Sequence, residues 1–251
     1  MINPQLGRLK RGFRSLHHSS GKYKTAPSVG VAICESPGGA TCFPPTCFRV
    51  YLFTCLPVYV YTHPMNTALL LIDIQNDYFP GGKFPLVNPE DAAKKAYMLL
   101  QCFREHDGHH VHIQHISLKP DSAFFIKGDS GSDIHDSVAH FEGEPIVYKH
   151  YPNSFRETNL LELLKGWGVE RVVVTGMMTH MCVDATARAA ADYGFQVIIA
   201  EDACATRDLQ YGDTVIPAEH VHKAFLAALK SYGKVMKSEE VVALLAGEMV
   251  K

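Results

Sequence analysis

Arg171-Val172-Val173-Val174-Thr175-Gly176-Met177-Met178-Thr179-His180-Met181-Cys182 is the stretch whose reading decides the fold. A β-branched run ends at Thr175, a glycine-containing turn follows, and Cys182–Tyr193 carries alanines at helical spacing. Strand, short turn and helix in that order make half of a βαβ unit. A strand that is apolar on successive residues rather than alternate ones is buried on both faces, as in parallel sheets covered by helices.

The alternation continues in both directions. Upstream, strands are predicted at Ala68–Asp73, His110–His115 and Pro145–Lys149; downstream, at Gln196–Ala200 and Lys234–Met236. Helical patterns fit between and after them at Pro89–Glu105, Leu160–Trp167, Ala218–Tyr232 and Ser238–Ala246, with Asn159 and Glu162 placed to cap the second. The expected class is α/β: a doubly wound, mainly parallel six-stranded sheet, order 3-2-1-4-5-6, with helices on both faces. The segment Ser117 to Glu144 shows no such pattern, and loops of that length within a compact domain are usually functional or disordered.

The 251-residue chain, 47% hydrophobic and 20% charged with net charge −2, has the composition of a soluble globular protein. Residues 1–64 differ from the rest, with seven Lys/Arg against the single acid Glu35, and Pro/Gly clusters at Ser36-Pro37-Gly38-Gly39 and Pro44-Pro45. A domain boundary is placed near Met65. Residues 1–64 are expected to be a disordered tail or sequence outside the native product, and 65–251 the domain. The alternative for the tail is a mitochondrial transit peptide, since Arg8, Lys10, Arg11, Arg14, Lys22 and Lys24 lie among Ser and His without acids. The destination that follows is cytoplasmic, or mitochondrial should the tail act as a leader.

The mildly acidic body argues against a nucleic-acid partner. No apolar stretch approaches the ~18 residues of a membrane span, and Val50 to Tyr61 is broken by Pro57. Seven cysteines, an odd number without CxxC spacing, fit reduced thiols better than a disulfide framework or a zinc site.

In a sheet of this order the first and fourth strands are neighbours, and ligands bind beyond the strands' carboxyl ends where the winding reverses. Asp73 ends the first strand and Cys182 follows the fourth. A thiol in the first turn of a helix meets free N–H groups and the positive end of the macrodipole, both of which favour thiolate. The same N–H groups can donate to an oxyanion. Cys182 is therefore the candidate nucleophile, Asp73 the candidate proton carrier, and Lys149, at the end of the third strand, a cation able to stabilise both. Taken singly, each has a blander reading: an inert buried cysteine, a turn aspartate, a solvated lysine.

Leu71-Ile72-Asp73-Ile74-Gln75-Asn76-Asp77, then Lys149 ahead of Pro152-Asn153-Ser154-Phe155, then Gly176 through Arg188 together resemble the isochorismatase-like cysteine hydrolase family over about residues 65–245. The resemblance implies an Asp73-Lys149-Cys182 triad, covalent catalysis through a thioester, a non-proline cis peptide at Met177–Met178, and an oxyanion hole from the N–H groups of Met178 and Cys182. It further implies a hydrolase acting on a small amide, carbamoyl or ureide substrate, and a homo-oligomer. True isochorismatases, which cleave a vinyl ether, are similar but lack the cysteine.

Nicotinamidases of that family hold a metal through an Asp-x-His pair soon after the second strand. Here that region reads Val111-His112-Ile113-Gln114-His115-Ile116-Ser117, and the Asp133-Ile134-His135 pair falls well inside the long loop. No metal or other cofactor is expected, a cluster of His112, His115 and His135 being the alternative. His115, Asn153, Phe155, Phe124 and Phe125 are the expected substrate contacts, an apolar wall with one amide group. Two competing readings are a metal-assisted nicotinamidase and a non-enzymatic binding protein that kept the fold.

Overall fold

The computed structural model describes residues 66–119 and 121–249. The tail of residues 1–64, and with it the transit-peptide and domain-boundary expectations, lies outside the described residues. Six strands form one parallel sheet: β1 (Thr67–Ile72), β2 (His109–His115), β3 (Ile146–Lys149), β4 (Arg171–Met177), β5 (Gln196–Ala205) and, after a hairpin, β8 (Lys234–Met236). The order is β3-β2-β1-β4-β5-β8, as read from the sequence once the hairpin strands are numbered. Those strands, β6 (Leu209–Tyr211) and β7 (Thr214–Ile216), pair antiparallel outside the main sheet and had not been expected.

Every residue of β1 is buried because its two faces look into two cores. Ala68, Leu70 and Ile72 face the layer of α2 (Leu160–Gly166), α3 (Asp184–Asp192) and α4 (Ala218–Leu229). Leu69 and Leu71 face α1 (Pro89–Glu105) and α5 (Ser238–Met249). Helices on both faces make the sheet doubly wound.

Three expectations at element ends are corrected. β5 runs on to Ala205 through Glu201 and Asp202, because a register shift between Val174 and Gly176 brings Cys204 opposite Gly176 and Ala205 opposite Met177. Asp202 is spent on capping, accepting from the backbone N–H and hydroxyl of Ser238 at the start of α5. Asn159 makes no side-chain cap on α2; the Leu160 N–H instead meets Thr158 Oγ1 at 3.3 Å. The helix read as Cys182–Tyr193 starts at Asp184, and Thr179–Val183 forms a π-helical turn before it.

The segment from Ser117 to Glu144 contains 3-10 turns at Ser130–Ser132 and Asp136–Val138. It is held by the polar residues after β1. Asn76 donates through Nδ2 to Ser130 O, and Asp77, 1% exposed, accepts from the Phe125 N–H at 2.7 Å and the Lys83 N–H at 3.1 Å. Gly131 is required there, since a Cβ would stand 2.2 Å from Asp77 Oδ1. Among the described residues no helix is long and apolar enough to cross a membrane.

Candidate active site

β1 and β4 pair in parallel with Ile72 opposite Gly176, so the residues following them leave the sheet side by side. Gly176 has φ +116°, and a Cβ would come within 1.9 Å of the Ile72 carbonyl oxygen. Only glycine allows that approach. The next peptide, Met177–Met178, is cis, as the resemblance implied, and the π-helical turn then delivers Cys182.

The structure brings Asp73, Lys149 and Cys182 together. Lys149 Nζ lies 2.8 Å from Asp73 Oδ2, and both side chains are fully buried. Cys182 is 5% exposed, and its sulfur, an Asp73 oxygen and a His115 ring nitrogen lie within 4.8 Å of one another. Among the described residues no backbone N–H donates to the Asp73 carboxylate, whose close polar neighbours are the Lys149 ammonium and the Cys182 thiol. Asp73 itself adopts φ 49°, a left-handed conformation that costs an ordinary residue energy and recurs at functional positions.

Burial works against the Lys149 ammonium, but the charges of Asp73 and Cys182 outweigh it and hold the pKa above the ordinary lysine value. Burial also pushes the Cys182 thiol well up, Asp73 adds to the rise, and Lys149 opposes it. This corrects the thiolate expectation. Cys182 is not in the first turn of an α-helix, and desolvation of the anion dominates. Lys149 thus serves two partners that compete for its charge, the Asp73 carboxylate and the Cys182 sulfur.

His115, expected at the pocket, reaches the same cluster. Its Nδ1 is 3.1 Å from Lys149 Nζ, and burial lowers its pKa to about 4 against the attraction of Asp73. The neutral ring can thus accept from the ammonium through Nδ1, which requires the Nε2–H tautomer. Lys149 Nζ also donates to the Tyr151 carbonyl at 3.1 Å. His112, His115 and His135 do not gather. His112 Nε2 lies 3.4 Å from Glu144, and His135 stacks on Phe79 with Nδ1 bonded to Ser137. Among the described residues the trio within reach of one metal ion is Asp73, His115 and Cys182, and Lys149 already touches two of its members.

Phe125 packs against His115 and Tyr78 with ring centroids 5.7 and 4.7 Å away, and Phe124 stacks on Phe84 at 4.4 Å. These form an aromatic wall beside the cluster. Phe155 does not join it: its ring lies against Tyr193 and Phe195, at the far end of α3, and belongs to the core. The Asn153 side-chain oxygen is spent locally on the Phe155 N–H at 2.9 Å.

Gln75, missed as a site residue, is fully buried. Its amide accepts from the His115 N–H at 2.7 Å and donates to the His115 and Ser132 carbonyls, at 2.9 and 2.6 Å. It thereby continues the β1–β2 ladder beyond the last strand residue and ties the long segment to the site.

A profile for the isochorismatase domain matches residues 67–240. Isochorismatase family protein YddQ of Bacillus subtilis is 49% identical over 176 residues, 70% of this chain and 98% of that protein. The secreted isochorismatase effector Isc1 of Verticillium dahliae is 34% identical over 176 residues, 70% of this chain and 90% of the relative. A crystal structure of an isochorismatase hydrolase from Oleispira antarctica superposes with a TM-score of 0.70 at 45% identity, covering 73% of this chain and 99% of that one. Two more distant relatives are named for amide chemistry, a maleamate amidohydrolase of Pseudomonas putida at 28% identity and nicotinamidase 3 of Arabidopsis thaliana at 32%.

Proposed function

This chain belongs to the isochorismatase family, and we propose that it is a cysteine-dependent hydrolase of small amides that works through a thioester. The observation that carries the reading is the buried Asp73–Lys149 ion pair, 2.8 Å between charges, with the Cys182 thiol beside it. Asp73 takes the thiol proton as sulfur bonds to the carbonyl carbon, and Lys149 stabilises the charge that develops. The oxyanion is taken by the N–H groups of Met178 and Cys182. As the C–N bond breaks, Asp73 returns the proton to the leaving amine. Water then attacks the thioester, giving its proton to Asp73; the C–S bond breaks, and the sulfur recovers the proton. A raised thiol pKa suits this sequence, because the proton leaves only when substrate is in place.

The experiment is a panel of small primary amides and ureides assayed for ammonia release, with intact-mass detection of an acyl group on Cys182. Release that disappears in Cys182→Ser, with an adduct on the wild-type residue, supports the reading. Ammonia release that survives the substitution overturns it. Vinyl-ether cleavage is a second reading, favoured by the name of Isc1; it frees a keto product without ammonia and leaves no adduct on Cys182. Metal-assisted hydrolysis predicts loss of activity with chelator, whereas the thioester route is indifferent to it.

A further inference from the structure

The turn that carries Cys182 is held from behind by side chains that the reaction itself does not use. Thr179, its first residue, is fully buried, and its hydroxyl meets two partners, the Ala205 carbonyl at 3.2 Å and His222 Nδ1 at 2.9 Å. Ala205 ends β5 opposite Met177, and His222 belongs to α4, so three elements converge on one hydroxyl. A hydroxyl has a single proton, and a carbonyl can only accept. The Thr179 proton therefore goes to Ala205, and the hydrogen shared with His222 comes from the ring. Burial lowers the His222 pKa against the pull of Glu201, so the neutral ring carries its proton on Nδ1.

A neighbouring link, His180 Nδ1 to Thr206 Oγ1 at 2.5 Å, ties the turn to the end of β5 a second time. His222 ties it to α4, whose Phe225 also meets the His180 ring edge-on, 5.9 Å between centroids. A cavity of about 270 Å³, lined by Thr206, Ala218, Glu219 and His222 among others, lies beside the imidazole. Packing from that side does not wedge the ring against Thr179; its N–H locates the threonine. Within the turn, the Met178 carbonyl accepts from the N–H groups of Met181 and Val183, at 3.0 and 3.3 Å, which bracket Cys182. Met178, Thr179 and Cys182 therefore move as one unit.

We propose that His222 is a positioning residue of the reaction: by donating from Nδ1 to Thr179 it fixes the turn, and with it the N–H groups of Met178 and Cys182 that receive the oxyanion. This rests on the hydrolase reading given above. His222 donates to Thr179 rather than to substrate or sulfur, so its effect is confined to steps in which an oxyanion forms.

Two reactions of Cys182 separate that effect from general damage to the thiol. With p-nitrophenyl acetate, sulfur bonds to the carbonyl carbon through an oxyanion, the thiol proton passes to Asp73, and p-nitrophenolate leaves. With iodoacetamide, sulfur bonds to the methylene carbon as iodide leaves, the thiol loses its proton as before, and no oxyanion forms. Both rates are measured on the full-length chain at pH 7.5, with Cys182→Ala as the background. In His222→Ala, acylation should fall about 10- to 100-fold while alkylation stays within about threefold. His222→Asn, whose side-chain N–H can take the place of Nδ1–H, should recover acylation to within about threefold of wild type. Thr179→Val should match His222→Ala, and the double variant should be no slower than either. Wild-type acylation in His222→Ala or Thr179→Val, a parallel fall of both rates, or a His222→Asn no better than His222→Ala would overturn the proposal. The hydrolase reading fails separately. Wild-type Cys182 that is alkylated but not acylated removes the reaction, and the proposal with it; normal acylation in every His222 variant removes the proposal and leaves the reaction.

Discussion

β2 carries a charged cluster near each of its ends, the first fully buried and the second partly so, and the two are built on opposite principles. At its carboxyl end, His115 meets Asp73, Lys149 and Cys182, and no backbone N–H donates to the Asp73 oxygens. Toward its start, His110 and His112 face Glu144, whose carboxylate takes both arms of Arg104 at 2.7 Å and the Phe141 N–H at 2.8 Å. The saturated carboxylate is a strut, pinning the end of the long segment to α1 and β2. The undersupplied one keeps lone pairs for a proton. Burial sets the stakes in both places; the number of donors decides whether the group supports or reacts.

The comparison breaks most sharply under substitution at the two carboxylates. Cys182→Ala should lower kcat for amide hydrolysis about 10⁴-fold while the urea midpoint moves little; Asp73→Asn should lower it about a thousandfold or more in the folded fraction and, by leaving the Lys149 ammonium buried without its partner, should cost stability as well. Glu144→Gln or Arg104→Ala should cost stability and spare kcat. Stability in urea should fall by about 1.5–3 kcal/mol, since each change leaves a partly buried charge without its partner, while kcat of the folded fraction stays within about twofold. Activity lost at Glu144 without loss of stability would remove the distinction.

Acid should weaken both clusters together. Burial lowers His112 and His115 to about 4 from an ordinary 6.5. Between those values the unfolded chain binds more protons than the folded one. Their contribution is therefore fully present above about pH 6.5 and is lost as pH falls toward 4, at about 2–3 kcal/mol for each histidine. Glu144, held below the ordinary carboxylate range although burial alone would raise it, extends the loss to lower pH as it titrates. Urea midpoints across pH 4–8 test this, and a flat profile from 6.5 to 4 would contradict it.

The smallest effect is the most specific to the proposed mechanism. Asp73 raises the thiol pKa, so Asp73→Asn should alkylate faster with iodoacetamide at pH 7.5, by about tenfold, even as hydrolysis collapses. Lys149→Met should alkylate more slowly. Parallel loss of alkylation and hydrolysis in Asp73→Asn would mean that the aspartate ionises the resting thiol instead of waiting for substrate.

The sheet was readable because β1 and β4 carry unbroken apolar runs, Ala68–Ile72 and Val172–Val174, which fit strands covered on both faces. The cluster was readable because its three members end or follow strands that topology makes neighbours. What escaped was set by partners remote in sequence. Gln75, Asn76 and Asp77 spend their side chains on backbone groups 40 to 57 residues away, which no local pattern records. Phe155 follows Lys149 closely yet turns into the core, because Ser154 is fixed to Thr186 of α3 through its N–H and hydroxyl. The hairpin did leave a local trace: Gly212-Asp213 separates Leu209–Tyr211 from Thr214–Ile216, a two-residue turn with Gly212 at φ 58°. The thiol's state went unread because placement on a helix says nothing about depth.

Gly176 turns the parallel sheet into a ruler. With Ile72 and Gly176 in register and no side chain between them, the gap from Asp73 to the turn bearing Cys182 is inherited from the spacing of adjacent strands, about 4.8 Å. Such a gauge is portable. Loops and aromatic walls can be exchanged around it by evolution or by a designer without recalibrating the reacting pair, so one scaffold can be re-addressed to new molecules at the cost of its periphery alone.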